Sequence, residues 1–161
     1  MYLGIDIGKT GAIGVVDEDG GYIDVEDLPI EVLEVGNKKK AGWRLDAKGF
    51  VNIFASLNIH TVTIEALWAN STNGALAGFS MGRLLGSVEV LLQGCVQAPQ
   101  YYVAPLRWKR HFNLIGQDKS ASLGLARELF PEAPLSRKKD HNRAESLLLA
   151  YYGWQTRKET I

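Results

Sequence analysis

The stretch that decides the fold is Leu3-Gly4-Ile5-Asp6-Ile7-Gly8-Lys9-Thr10-Gly11. Its aliphatic side chains alternate with Gly4 and Asp6, which predicts a β-strand, and the following glycines predict a turn into a second strand. Successive side chains of a strand point to opposite faces, so Asp6 projects away from the aliphatic ones. A buried carboxylate is costly unless it is paired or binds a cation. Asp6 is therefore a candidate metal- or phosphate-handling group, the alternative being an edge-strand Asp that faces water.

Composition predicts one domain over residues 1–161. The chain is 46% hydrophobic, which is enough for a real core. No apolar run looks long enough to cross a bilayer, and the start lacks the basic-then-apolar pattern of a signal peptide. The single cysteine, Cys95, excludes an internal disulfide, suits a reducing cytosol and reads as a core side chain. We therefore expect a cytoplasmic protein with no membrane partner.

The net charge is zero, but its distribution is uneven. Residues 1–36 carry one basic side chain against nine acidic ones, whereas residues 37–48 carry five against one and residues 100–161 carry eleven against six. Such asymmetry permits a basic binding face on a neutral protein. The segment 38–44 reads as a basic loop with Trp43 beside its charges, which suits contact with nucleic-acid phosphates and bases. The alternative is a solvated surface loop.

The order of the predicted elements favours a mixed α/β sheet flanked by helices. Three antiparallel strands are expected over 2–7, 11–17 and 21–26, followed by an acidic connection over 28–37. Two further strands are expected over 61–65 and 101–104. Helices are expected from Asp46, over 74–92, from 107, over 118–130 and over 140–154.

The helix predicted over 74–92 carries glycine at every fourth position. Gly78, Gly82 and Gly86 share one face of that helix. Glycine costs about 1 kcal/mol in a helix interior, so a close approach of another backbone is the expected compensation. That backbone belongs either to another helix of this chain or to a symmetry mate.

Four carboxylates carry the candidate chemistry. Asp6 lies on the first strand, Glu65 ends the fourth, and Asp140 and Glu145 lie at the start of the last helix. If the fourth strand lies beside the first, Asp6 and Glu65 come close together. Oxygen-rich clusters of this kind suit Mg²⁺ or Mn²⁺, and two such ions support phosphodiester cleavage. HExxH and GxxxxGK[ST] motifs are absent from the sequence, so a two-metal nuclease is the mechanism that remains.

The ordered set of motifs resembles RuvC-type Holliday junction resolvases, most closely their phage and prophage form. The resemblance covers nearly the whole chain and rests on these segments: Gly4 to Gly8, Ile64-Glu65, Pro105 to Lys109, Gln117 to Lys119, and Asp140-His141-Asn142-Arg143-Ala144-Glu145. It implies a ribonuclease H-like fold with a mixed five-stranded sheet, three antiparallel strands being followed by two parallel ones. It also implies a homodimer that nicks four-way DNA junctions with two Mg²⁺ or Mn²⁺ ions per active site. From the glycine spacing, we expect the dimer to assemble on the glycine-bearing helix.

The resemblance also assigns roles residue by residue. Asp6, Glu65 and Glu145 match the catalytic, metal-binding carboxylates, and Lys109 and Lys119 match lysines that contact DNA or take part in catalysis. Trp68 matches an aromatic residue that stacks on bases near the junction centre.

The fourth metal-binding position is open. In many relatives it lies three residues before the last carboxylate, where this chain has Asn142. Asp140 is the first candidate, although it lies about 140° round a helix from Glu145 and is equally placed to be only an N-cap. His141 shares a helix face with Glu145 and is the second candidate, as a ligand or a proton-transfer group.

The expected DNA-binding residues lie in basic clusters along the chain. Arg137 to Lys139 directly precede the active-site helix and are placed to hold phosphates beside the metals. The full set comprises Lys38, Lys39, Lys40, Arg44, Trp68, Arg107, Lys109, Arg110, Lys119, Arg137, Lys138, Lys139 and Arg143.

Two other functions compete with the nuclease. Asp6 to Gly11 also resembles the phosphate loop of sugar kinases and actin-like ATPases, which need two such domains. A non-catalytic DNA-binding relative is the second alternative. Metal-dependent cleavage of a labelled junction distinguishes both from a resolvase.

Overall fold

The computed structural model describes residues 1–35, 38–67 and 74–157, apart from the side chains at 34, 35, 38–41 and 119. The strands in chain order are β1 Tyr2–Asp6, β2 Ala12–Val16, β3 Tyr22–Asp27, β4 Ile30–Val35, β5 Lys38–Leu45, β6 Thr61–Glu65 and β7 Gln100–Val103. The helices are α1 Ala47–Phe54, α2 Ala75–Cys95, α3 Pro105–His111, α4 Lys119–Leu129 and α5 His141–Arg157, and a 3₁₀ turn, Lys138–Asp140, precedes α5.

Five strands form the main sheet in the order β3-β2-β1-β6-β7. The pairs β1–β2 and β2–β3 are antiparallel, whereas β1–β6 and β6–β7 are parallel. The expected mixed sheet of three antiparallel and two parallel strands is confirmed. β1 lies at its centre, as its apolar sequence requires, because a strand covered on both faces must bury nearly every side chain.

The segment predicted as an acidic connection and a basic loop is instead a second, two-stranded sheet. β4 and β5 pair antiparallel, with Ile30 opposite Leu45 and Val32 opposite Trp43. Leu45 is buried, and Ile30 and Trp43 pack against the core beneath the main sheet. The loop prediction is wrong because the charged residues between these apolar ones concealed a period-two pattern in which Ile30, Trp43 and Leu45 face the core.

Helix α5 crosses one face of the main sheet at three glycines. A Cβ added at Gly4 would lie 2.1 Å from the carbonyl oxygen of Ser146, and one added at Gly14 would lie 2.6 Å from the backbone nitrogen of Leu147. A Cβ at Gly153 of α5 would lie 2.2 Å from Oγ1 of Thr63. These approaches fix the height and direction of α5, and they bring its first turns against the ends of β1 and β6.

Helices α1 and α2 cover the opposite face of the main sheet. Phe50 and Phe54 of α1 are buried, and α2 buries Leu84, Val88 and Leu92 against the aliphatic side chains of β1, β2 and β6. Asp46 caps α1, as predicted, by accepting hydrogen bonds from the backbone N–H groups of Lys48 and Gly49.

Most of α2 is uncovered. Leu76, Phe79 and Val90 are 80%, 67% and 69% exposed. A Cβ at Gly78, Gly82 or Gly86 would have no described atom within 4 Å beyond its own surroundings in the helix. The glycine face therefore packs on no other helix of the described chain, which leaves a symmetry mate as the predicted partner. Cys95, at the end of α2, is exposed, so its prediction as a core residue is wrong.

By length and composition alone, α2 is able to cross a membrane. It has 21 residues and a mean hydropathy of 1.4 over its most apolar 18-residue window, 17% of which is buried. The expectation that no apolar run is long enough is thus wrong for this helix. One such helix is weak support for membrane insertion, since exposed apolar surface also marks protein interfaces.

Candidate active site

Asp6 and Glu65 lie side by side at the carboxyl ends of two neighbouring parallel strands. Ile5 of β1 is in register with Ile64 of β6, so the next residues of the two strands are also neighbours. Gly4 and Thr63 both face α5. Because side chains alternate along a strand, Asp6 and Glu65 lie on that same side, two residues further on. The prediction that the fourth strand of the main sheet lies beside the first is confirmed.

Glu65 lies in a half-buried position with one buried hydrogen-bond donor. Nε1 of Trp108 donates to its Oε1 at 2.8 Å. Loss of solvent is the main influence on the carboxyl and raises its pKa, and the nearby charge of Glu145 raises it further. The hydrogen bond from Trp108 and the charge of Lys109 oppose this rise without cancelling it. The negative charge of ionised Glu65 is therefore only partly offset by Trp108 and Lys109.

Glu145 lies in the second turn of α5, near enough to Glu65 for its charge to raise the pKa of that carboxyl. Its Oε1 lies 3.3 Å from Nζ of Lys109 and accepts a hydrogen bond from Oγ of Ser122 at 3.2 Å. Gln117 and Asp118 line the same small cleft as these three residues. The cleft therefore brings together elements far apart in sequence, namely α3, the start of α4 and the start of α5.

Asp140 belongs to a different charge cluster. Its carboxylate accepts hydrogen bonds from the Arg137 backbone nitrogen at 2.7 Å and from Nε of Arg137 at 2.8 Å, and it is 1% exposed. Burial works against ionisation of Asp140, but the hydrogen bonds and charge of Arg137 prevail and lower its pKa. Nearby, Nε of Arg143 lies 2.6 Å from Oδ1 of Asp27, whose pKa this bond lowers. In the structure, the carboxylate predicted as a metal ligand is neutralised by an arginine.

Asn142 and His141 lie at the start of α5, beside the turn between β1 and β2. Nδ2 of Asn142 donates to the carbonyl oxygen of Thr10 and, at 2.9 Å, to its Oγ1. Nδ1 of His141 lies 3.5 Å from the carbonyl oxygen of Lys138. Asn142 therefore ties the Gly8–Gly11 turn to α5.

Two solved structures share this architecture over nearly their whole length. The first, T. thermophilus RuvC in complex with Holliday junction substrate, is 19% identical; the match covers 98% of this chain and 95% of that one, with a TM-score of 0.67. This chain has the RuvC fold. The second, the Thermus thermophilus RuvC structure, is 23% identical, with 98% and 96% covered and a TM-score of 0.58. No family model matches the sequence, and no curated protein sequence matches it either.

The RuvC fold arranges the predicted basic residues on several elements. Arg107, Lys109 and Arg110 lie on α3, and Arg137 to Lys139 lie directly before α5. Three predicted DNA-binding arginines form ion pairs within the chain: Arg44 with Glu31, Arg137 with Asp140 and Arg143 with Asp27. Trp68 lies outside the described residues, as do the side chains of Lys38, Lys39, Lys40 and Lys119.

The chemistry of the carboxylates in this RuvC fold suits a hard divalent cation. Asp6, Glu65 and Glu145 offer only oxygen donors, which Mg²⁺ and Mn²⁺ prefer. The repulsion between Glu65 and Glu145 is a charge imbalance that a cation would remove. Among residues 1–35, 38–67 and 74–157, however, no group of three or more His, Cys, Asp or Glu residues is close enough to hold an ion.

Sequence analysis missed two residues of this site. Trp108 and Ser122 received no role, although they contact Glu65 and Glu145 respectively. A signal for Trp108 existed, because a tryptophan amid basic residues on a short helix is the one side chain there that will be buried, and a buried indole needs an acceptor. For Ser122 the sequence carries no comparable signal.

Proposed function

We propose that this chain is a structure-selective endodeoxyribonuclease that resolves four-way (Holliday) or other branched DNA junctions by hydrolysing phosphodiester bonds. The observation that carries the proposal is the register of β1 and β6, which puts Asp6 beside Glu65, with Glu145 and Lys109 next to Glu65. The RuvC solved with a Holliday junction substrate shares this fold over 98% of the chain. Fold and site together favour junction cleavage.

In this proposal Asp6, Glu65 and Glu145 hold two Mg²⁺ or Mn²⁺ ions. Such ions supply positive charge to the attacking and leaving oxygens of an in-line displacement. The fourth ligand remains open between two residues. Asp140 would have to break its ion pair with Arg137 in order to bind an ion. His141 lies four residues before Glu145 on the same face of α5, so it could bind the same ion as Glu145.

The lysines act on the DNA rather than on the ions. Nζ of Lys109 lies 3.3 Å from Glu145. If Glu145 holds an ion, a DNA phosphate bound to that ion would lie close to the Lys109 ammonium, which would offset the negative charge of the phosphate. Lys119 is the first residue of α4 and follows Asp118, which lines the cleft with Lys109 and Glu145. We propose that Lys119 contacts the DNA or takes part in the reaction. The basic residues of α3 and of the segment before α5 would hold the flanking phosphates.

We further propose that the active form is a homodimer through α2. Its apolar side chains and its glycine face are exposed in the single chain, as expected of a surface that a second copy covers. A two-fold dimer presents two active sites in matching orientation, which a four-way junction needs for paired nicks.

The test is cleavage of a four-way junction labelled on one strand at a time, with a linear duplex of one arm's sequence as the control substrate. With Mg²⁺ or Mn²⁺ we expect nicks at symmetric positions in two opposing strands, no products in EDTA, and little cutting of the duplex. Equal cutting of duplex and junction would contradict junction selectivity.

A second candidate is a junction-binding protein without nuclease activity. It is favoured by the ion pair that neutralises Asp140 and by the lack of a three-carboxylate group among the described residues. It predicts tight junction binding and no cleavage in any divalent metal. The ATPase-like alternative has no such support, because the matches to the two RuvC structures cover 95% and 96% of those chains.

A further inference from the structure

Trp108 is in contact with both halves of the acidic site. Its indole N–H donates to Oε1 of Glu65 at 2.8 Å. The Nζ atom of Lys109 lies 5.0 Å from the centroid of the Trp108 ring, within the range of a cation–π contact. The same Nζ lies 3.3 Å from Glu145. One side chain therefore connects the carboxylate at the end of β6 with the lysine that faces the carboxylate on α5.

Packing alone does not explain this hydrogen bond. Trp108 is fully buried in the core between α5 and the sheet, and a buried indole needs an acceptor. A backbone carbonyl would serve, as it does for Trp154, whose Nε1 donates to the carbonyl oxygen of Glu18 at 2.7 Å. Trp108 instead uses a candidate metal ligand. A carboxylate has about four lone-pair sites, so the indole fixes its rotation and leaves capacity for a cation.

We propose that Trp108 is a positioning residue, which fixes the orientation of Glu65 toward a divalent cation and of Lys109 toward Glu145 and a DNA phosphate. This inference rests on the proposed nuclease function. It adds to that function a neutral, fully buried side chain that sets the geometry of the charged residues Glu65 and Lys109. Partners of metal ligands act in this way, and their loss commonly costs 10- to 100-fold in metal affinity or activity.

The test removes the N–H group of Trp108 and measures Mn²⁺ binding by calorimetry without DNA. Replacement by 3-benzothienylalanine keeps the bicyclic shape, and Trp108→Phe is the simpler variant. Trp154→Phe is the matched control, because it removes an indole hydrogen bond to a backbone carbonyl away from the site. Thermal unfolding of each variant is measured in parallel.

We expect both Trp108 replacements to weaken Mn²⁺ binding by about 10- to 100-fold, while Trp154→Phe leaves it unchanged. The Mn²⁺ concentration for half-maximal junction cleavage should rise by a similar factor, with much of the rate recovered at saturation. The inference is overturned if the benzothienyl variant binds Mn²⁺ within twofold of the unmodified protein, if Trp154→Phe weakens binding equally, or if the unmodified protein binds no Mn²⁺. Mn²⁺ binding that depends on Trp108, without junction cleavage, overturns the proposed function alone.

Discussion

At the residue scale, the two acidic clusters near the start of α5 differ in how their charge is balanced. Asp140 and Asp27 each face an arginine, and both have lowered pKa values. Glu65 has another glutamate nearby, with Lys109 and an indole N–H as partial compensation, and its pKa is raised. Perturbed carboxyl pKa values cluster at functional sites, so the imbalance at Glu65 supports the proposal that this cluster is the active site.

Asp140→Asn separates a structural from a metal-binding role for that residue. The pKa of Asp140 is depressed in the folded state, so its contribution is present above about pH 4 and is lost as the pH falls through the folded-state pKa. We expect the variant to lose about 3 kcal/mol of unfolding free energy at pH 7, because Asp140 is buried while Arg137 is half-exposed. The loss should shrink toward pH 2. Urea unfolding measures it, with Asp24→Asn on exposed β3 as the control.

Unchanged unfolding free energy in Asp140→Asn, together with lost cleavage, would assign Asp140 to the metals. Reduced stability with cleavage retained would assign the fourth position elsewhere and favour His141.

At the element scale, glycines play opposite roles on the two faces of the sheet. Those of β1 and β2 admit α5 at backbone contact distance, whereas a Cβ built at those of α2 has no described neighbour within 4 Å. The sequence pattern indicated a close approach only for α2, because three glycines share a face there. The role of Gly4 and Gly14 could not be predicted, since it depends on where α5 crosses the sheet. That crossing is a property of the tertiary structure.

Gly4→Ala and Gly78→Ala should therefore have opposite effects on stability. The new methyl group at Gly4 would meet backbone atoms of Ser146 and Ala150 at about 2 Å, so α5 must move. We expect a loss of about 3 kcal/mol or more. Gly78→Ala fills open space in a helix and should be neutral or stabilising by up to about 1 kcal/mol. Chemical denaturation of both variants at a concentration where the protein is monomeric checks the pair, and equal effects would contradict the α5 crossing.

Gly82→Leu tests the proposed dimer. No described atom lies within 4 Å of a Cβ at Gly82, so we expect the substitution to preserve the fold of the single chain and to disturb a partner packed on this face. We expect sedimentation to show a shift from dimer to monomer. Gly124→Leu is the matched control, because Gly124 is an exposed helical glycine on α4 with equally open surroundings. A dimer that survives Gly82→Leu would place the interface elsewhere.

At the scale of the whole molecule, the strands over 2–7, 11–17 and 61–65 were predictable from their alternating side chains, and the resemblance implied the mixed sheet of three antiparallel and two parallel strands. The β4–β5 sheet was not predictable, because the exposed residues Glu31, Val32 and Arg44 interrupt its core-facing apolar side chains. Asp6 and Glu65 were placed correctly, since strand pairing alone fixes them. The partner of Asp140 and the donor to Glu65 depend on a 3₁₀ turn and a short helix, whose docking local sequence does not determine.

The salt dependence of DNA binding tests how a chain of zero net charge holds a polyanion. Each phosphate neutralised contributes about −0.9 to the slope of log K against log salt concentration. Replacing Lys38, Lys39 and Lys40 by Ala should flatten the slope by about one to three units. Asp19, Asp24 and Glu26 are exposed residues of the acidic segment 1–36. Neutralising these three changes the net charge by the same amount in the opposite direction. It should scarcely alter the slope, since salt screens charges beyond about 8 Å. Slopes that follow net charge in both variants would exclude a defined DNA face.

The most direct test of the nuclease proposal is junction cleavage by Asp6→Asn and Glu65→Gln, measured beside junction binding. Each substitution removes one carboxylate charge at nearly constant shape. Asp24→Asn and Glu26→Gln make the same changes on exposed positions of β3. We predict that the site variants lose about 10³-fold or more in rate, equivalent to about 4 kcal/mol in the transition state, while all four bind the junction normally. Cleavage by either site variant at the rate of its β3 control would contradict the assignment of the active site.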